Sequence, residues 1–137
     1  MRRTKHGEDS TNYFDWLEIA ARDLLAARLL IEKKQCNEIA GFHCQQCMEK
    51  AFKAYIIDFS GILVDGHNLT WLCRKCTANN PVMSKWLSKT AELNRLYIET
   101  RYPSDIELRL SAKRVKEIYY IAREVYEYIC DQVYGED

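Results

Sequence analysis

Two prolines and five glycines in 137 residues leave the chain with little punctuation. Folds made of many short strands need turn residues at close intervals, so this scarcity favours long helices. No run of about 18 apolar residues occurs, which argues against a membrane-spanning helix. Charge of one sign is also missing, because 20 basic residues offset 20 acidic ones. A general electrostatic grip on nucleic acid is therefore not indicated, and any such binding has to come from a local patch. The basic start, Met1 to His6, runs into Gly7-Glu8-Asp9-Ser10 and not into the apolar core of a secretory signal. The expectation is a cytoplasmic protein whose six cysteines are reduced thiols. There is no glycine-rich phosphate loop, no His-Glu-x-x-His and no Gly-x-Ser-x-Gly.

What is present is an ordinary globular composition, 47% apolar and 29% charged. The length suits one domain that buries about two-thirds of its unfolded surface. Residues 1–9 read as a flexible tail and 10–137 as a helical domain. Ser10 or Thr11 is expected to cap a first helix whose apolar positions include Tyr13, Leu17, Ala20, Ala21, Leu24, Ala27, Leu30 and Ile31, ending near Lys33-Lys34. A second runs from about Asn37 to Phe59 and stops at Gly61. Asn68 is a fair cap for a short third helix, and Asn79-Asn80-Pro81 separates it from a fourth, about Val82 to Glu99. Pro103 forces a break, and Ser104-Asp105-Ile106-Glu107 has the form of a capping box for the last helix. That helix carries Val115, Ile118, Ala122, Val125, Ile129 and Val133 and closes at Gly135. These elements describe an all-α, up-and-down bundle of four to five helices.

The second helix is the expected centre. At the helical period Ala40, Cys44, Cys47, Ala51, Ala54 and Tyr55 form an apolar stripe of mostly small side chains, which lets neighbours approach closely. His43, Gln46, Lys50 and Lys53 form a second, polar stripe, and Glu49 precedes Lys53 by four, the better order for an ion pair. The polar stripe is either a solvated, network-forming face or an anion-facing surface with Lys as charge and His and Gln as donors.

Cys44-x-x-Cys47 and Cys73-x-x-Cys76 have the form of a four-cysteine zinc site. Their separation of 25 residues is long for such a site, and both pairs fall inside helices. Buried packing of small apolar thiols is the favoured reading, and no metal is expected. His67 before the third helix reads as a turn-fixing residue more than a ligand. Arg101 has the planar fork for a phosphate or carboxylate and Tyr102 a ring for stacking. An internal pairing of Arg101, with Glu49 or Asp23, competes with that reading. Tyr119, Tyr120, Tyr126, Tyr128 and Tyr134 on the last helix suggest an aromatic dimer interface before a nucleic-acid surface.

The run Phe42-His43-Cys44-Gln45-Gln46-Cys47-Met48-Glu49-Lys50-Ala51-Phe52-Lys53-Ala54-Tyr55 resembles the signature helix of HEPN domains. Tyr13, Trp16, Ala20 and Asp23 match that family's first helix. His67 and Leu69 match its His-x-Leu turn, and Tyr97 with Arg101-Tyr102-Pro103 its Arg-Tyr-Pro turn. The match spans roughly residues 12 to 134 and implies a helical bundle that forms a homodimer. Catalytic HEPN domains, metal-independent RNases and toxins, carry an arginine separated from a following histidine by four to six intervening residues. Here His6, His43 and His67 have no arginine at that distance, so no catalytic residue is carried over. The resemblance then implies a binding module without a cofactor, partnering a small nucleotidyltransferase in a toxin–antitoxin-like pair. Its ligand is a nucleotide or RNA, held by His43, Gln46, Glu49, Lys50, Lys53, His67, Arg101 and Tyr102. The alternatives are an RNase with a non-standard catalytic pair, such as Arg101 with His43 or His67, and a purely structural interaction bundle.

Overall fold

The computed structural model describes residues 9–99 and 109–135. Among these residues it contains five α-helices in chain order, α1 (Tyr13–Glu32), α2 (Asn37–Ser60), α3 (Leu69–Asn79), α4 (Leu87–Glu99) and α5 (Ala112–Tyr134). A 3-10 turn, Pro81–Trp86, leads into α4, and no strand occurs among the described residues. The fold is all-α, and α2 is its axis, in contact with each of the other four helices. From Ala51 to Ile57 every residue of α2 is buried, as befits a helix covered on all sides. Ala40, Cys44, Cys47, Ala51 and Ala54 are fully covered, and Ala20 and Ala27 of α1 are too. Small residues on both helices allow the close approach that the sequence implies.

The helix ends follow local chemistry with three adjustments. Asn12, not Ser10 or Thr11, is the N-cap of α1. Ser10 instead forms the preceding turn, its Oγ accepting from Asn12 N at 2.9 Å and donating to Asp15 Oδ2 at 2.6 Å, while its carbonyl accepts from Trp16 Nε1 at 2.8 Å. The fourth helical segment opens as a 3-10 turn because Asn80 Oδ1 takes Val82 N and Asn80 O takes Met83 N, a three-residue spacing. That turn puts Met83 and Trp86 on one inward face, both buried. The last helix starts at a Ser111 cap whose side chain accepts from Arg114 N. The expected capping box, Ser104 to Glu107, lies outside the described residues, and Arg109 to Ser111 are not helical. Leu110 is held there by α2, its N–H donating to Glu38 Oε2 at 2.8 Å and its carbonyl accepting from Asn37 Nδ2 at 3.0 Å.

Elsewhere sequence and structure coincide. α2 ends at Gly61 with φ +76°, the left-handed cap that glycine adopts freely. Asn68 caps α3 through Trp71 N. The core gathers Leu17 from α1, Met48 and Phe52 from α2, Leu69 and Leu72 from α3, Leu93 from α4 and Ile118, Val125 and Ile129 from α5.

The cysteine pairs belong to this core. Cys44, Cys47, Cys73 and Cys76 are fully buried, and among the described residues no group of three or more His, Cys, Asp or Glu is arranged to hold a metal. Cys73 Sγ faces the Met83 carbonyl at 3.5 Å and Cys76 Sγ the Phe52 carbonyl at 3.7 Å. Burial, with a smaller contribution from the Asp23 charge, pushes the Cys44 thiol up to about 12. Such thiols are poor nucleophiles, because attack needs the thiolate. All four thiols pack within the core cluster.

Candidate functional site: a carboxylate network between α1, α2 and the α3 turn

Asp23 interrupts the small-residue face of α1 between Ala20 and Ala27, and so points a carboxylate at α2. Its Oδ1 lies 2.8 Å from His43 Nδ1 and its Oδ2 3.0 Å from Lys50 Nζ. Those two partners are seven residues apart, two turns on the same face, so one carboxylate spans them. The second carboxylate is Glu49. Its Oε2 accepts from Lys53 Nζ at 3.0 Å, the ion pair expected from the four-residue spacing, and from His67 Nδ1 at 3.0 Å. Gln46 Nε2 approaches Glu49 Oε1 at 3.4 Å and donates to Gln45 Oε1 at 2.8 Å. Gln45 Nε2 reaches the His67 carbonyl at 3.4 Å, which ties the loop before α3 to the helix axis.

Aromatic rings close the site. The His67 imidazole stacks on Tyr97 with centroids 4.3 Å apart and planes 16° apart. Phe42 stands 6.3 Å from the same tyrosine. Lys53 Nζ lies 5.6 Å from the centre of the Trp16 ring, so its ammonium meets a carboxylate and an aromatic face together. Burial is graded along the site. Glu49 and Lys53 are almost fully enclosed, Asp23, Lys50 and His43 partly so, and the His67 side chain is 52% exposed.

The polar stripe is thus a connected network. Two carboxylates face two ammonium groups, so the formal charges of those four cancel before either imidazole is counted. Since a carboxylate only accepts, each Nδ1 in contact with one carries the proton. Each Nε2 makes no hydrogen bond among the described residues. The arrangement offers two oriented imidazoles, the unused N–H donors of Lys50 and a stacked aromatic pair.

Of the eight residues expected at the site, the structure brings together His43, Gln46, Glu49, Lys50, Lys53 and His67. Arg101 and Tyr102, with the pairing of Arg101 to Asp23 or Glu49, lie outside the described residues. Three participants were not among the expected ligands. Asp23 was legible as an acid on an otherwise small apolar face. Gln45 is fully buried, and nothing in its residue type separates it from the half-buried Gln46 beside it. Tyr97 enters through its stacking on His67, a contact across 30 residues of chain.

The tyrosines of α5 are largely occupied within the chain. Tyr128 accepts from Asn80 Nδ2 at 2.8 Å and meets Trp86 edge-on, and Tyr134 packs against Tyr13. Tyr120 and Tyr134 remain more than half exposed.

With this geometry in place, the comparisons with known proteins are direct. The crystal structure of ST0689, described as an archaeal HEPN homologue, superposes with a TM-score of 0.70 at 28% identity, over 89% of this chain and 98% of that one. TT1696 from Thermus thermophilus shares the fold, with a TM-score of 0.78 at 22% identity over 90% of this chain and 99% of that one. No curated protein matches the chain. The family model of the HEPN domain matches residues 13–133, and the protein belongs to the HEPN domain family.

Proposed function

We propose that this HEPN-domain protein is a non-catalytic binding module that acts as a homodimer beside a small nucleotidyltransferase, as in a toxin–antitoxin pair. Its ligand is a nucleotide, free or displayed on the partner's nucleotide-bound face. The ligand residues are His43, Gln46, Lys50, Lys53 and His67 of the network, together with Arg101 and Tyr102. One observation carries the reading. Both imidazoles are fixed through Nδ1 by enclosed carboxylates and leave Nε2 without a hydrogen bond among the described residues, which is the state of a ready-made polar contact. Isothermal titration of ATP, GTP and UTP into the free protein and into its complex tests this. Heat that disappears in Lys50→Glu supports the nucleotide claim. Heat from neither preparation removes it, and partner binding untouched by Lys50→Glu leaves a purely structural bundle.

The same dyads favour a second reading. A carboxylate on Nδ1 is the arrangement that orients an imidazole for proton transfer at Nε2. A metal-independent RNase would use His67 or His43 against a ribose 2′-hydroxyl and Arg101 against the phosphate. Overexpression separates the two. Growth arrest relieved by Arg101→Ala, with shortened RNA in the arrested cells, selects the RNase. Normal growth with intact RNA selects the binding module.

A further inference from the structure

A second surface, at the far end of α2 and independent of the network, has different chemistry. Leu69, Leu72, Cys73 and Cys76 take the inward face of α3 and are all fully buried. The outward face carries Trp71, Arg74, Lys75 and Ala78, the i, i+3, i+4 and i+7 positions of one stripe. Together with Phe59 from the last turn of α2 and Asn79, they line an open cleft of about 540 Å³. Trp71 is 43% exposed and Phe59 39%.

The charges on this stripe differ from those on the other long helices. On α1 and α5, Arg22, Arg28, Arg114 and Arg123 each have a glutamate three or four residues away within reach, such as Arg28 with Glu32 at 3.2 Å and Arg123 with Glu127 at 3.1 Å. α3 contains no acidic residue at all. Arg74 pairs with no carboxylate among the described residues, and Lys75 Nζ has only the Trp71 ring, 5.1 Å from its centre. Every charged group lining the cleft is a cation. Asp58 precedes Phe59 in the chain but is not part of the lining.

We propose that this cleft docks a partner protein through an acidic segment bearing one apolar or aromatic anchor. The anchor packs on Phe59, Trp71 and Ala78, and flanking carboxylates take Arg74 in a forked pair and Lys75 as a point charge. Tryptophan and arginine side by side are the residue types that dominate protein interfaces, and an apolar floor with a charged rim is their usual setting. Charge complementarity fixes the sign of the partner. Nucleic acid is the weaker fit, since its affinity is built from many phosphate contacts along a basic track, and two cations on a chain of zero net charge provide no track.

The test is selection of a random twelve-residue peptide library on the intact protein, followed by titration of the enriched peptides. The expected result is enrichment of peptides with net negative charge and a Leu, Phe or Trp anchor. Their affinity should fall by more than about tenfold in Trp71→Ala and in the double variant Arg74→Glu, Lys75→Glu. All three positions are exposed, and an unchanged circular dichroism spectrum certifies the fold. Lys50→Glu should leave peptide binding intact, which separates this cleft from the network of the preceding proposal. No enrichment, enrichment without acidic bias, or equal binding to the variants overturns the proposal. So does tighter binding of the oligonucleotide dT8 at Trp71 than of any acidic peptide.

Discussion

Lys53 Nζ stands 3.0 Å from Glu49 Oε2, one turn apart on α2, with the two side chains only 7% and 4% exposed. An ion pair so enclosed is a poor source of net stability, because desolvation offsets most of the attraction, but removing one partner is costly. Glu49→Gln should destabilise the domain by about 3–5 kcal/mol by leaving the ammonium unpaired. The double variant Glu49→Leu, Lys53→Met should recover most of that loss, since two well-packed apolar side chains replace the pair. Urea denaturation of the three proteins measures both effects. A cost below about 1 kcal/mol for Glu49→Gln would mean that water reaches Lys53.

Asp23 makes a different prediction because it serves two partners. A double-mutant cycle between Asp23→Ala and Lys50→Ala should give a coupling of about 1–2 kcal/mol, above the value for exposed pairs. The single change Asp23→Ala should also free the His43 ring, visible as a broadened imidazole resonance in proton NMR. A coupling near zero would make the contact incidental.

Gly41 faces two opposing effects. In a helix interior Gly→Ala gains about 1 kcal/mol of helix propensity. A Cβ at Gly41 would, however, come 2.7 Å from Leu110 Cδ1 and 3.6 Å from both Leu96 methyls. Leu110 is pinned through its backbone by Asn37 and Glu38, so only its side chain can yield. Gly41→Ala should therefore fall within about 1 kcal/mol of the parent, and Gly41→Leu should cost about 1–3 kcal/mol by overpacking. Thermal unfolding of both variants checks the contrast.

The buried thiols predict alkaline sensitivity. Burial raises Cys44 to about 12 and moves Cys47 and Cys76 the same way, whereas in the unfolded chain these groups ionise near 9. Above that unfolded value the unfolded state has lost protons that the folded state keeps, so stability falls as pH rises. It is undiminished below pH 9 and declines between 9 and 12 by about 1.4 kcal/mol per pH unit for each such thiol. Unfolding free energies at pH 8 and 10 should show the loss, and Cys44→Ala should shrink it. Iodoacetamide at pH 8 should modify exposed Cys36 long before the four core thiols.

How far the chain could be read without its structure depends on the range of each interaction. α2 was legible almost to the residue, because its small-residue stripe, Gly61 and the Glu49–Lys53 spacing are all local. The cap of α1 slipped by a residue or two, since Ser10 was drawn into a turn with Asp15 and Trp16. The start of α5 was misplaced further, because a local capping box at Ser104 gave no sign of the grip that Asn37 and Glu38 exert on Leu110 from 73 and 72 residues away.

The same division runs through the site. Sequence alone determined the all-α class, the central helix and the stripe that holds His43, Gln46, Lys50 and Lys53, since 3.6-residue periodicity and capping chemistry act within a few turns. Only the tertiary structure decided that Asp23 bridges His43 and Lys50, that Glu49 takes His67 as well as Lys53, and that Arg74 and Lys75 find no acid among the described residues. Those outcomes depend on which side chains of separate helices meet within about 3 Å, the reach of a charge-assisted hydrogen bond, and that meeting is set by packing.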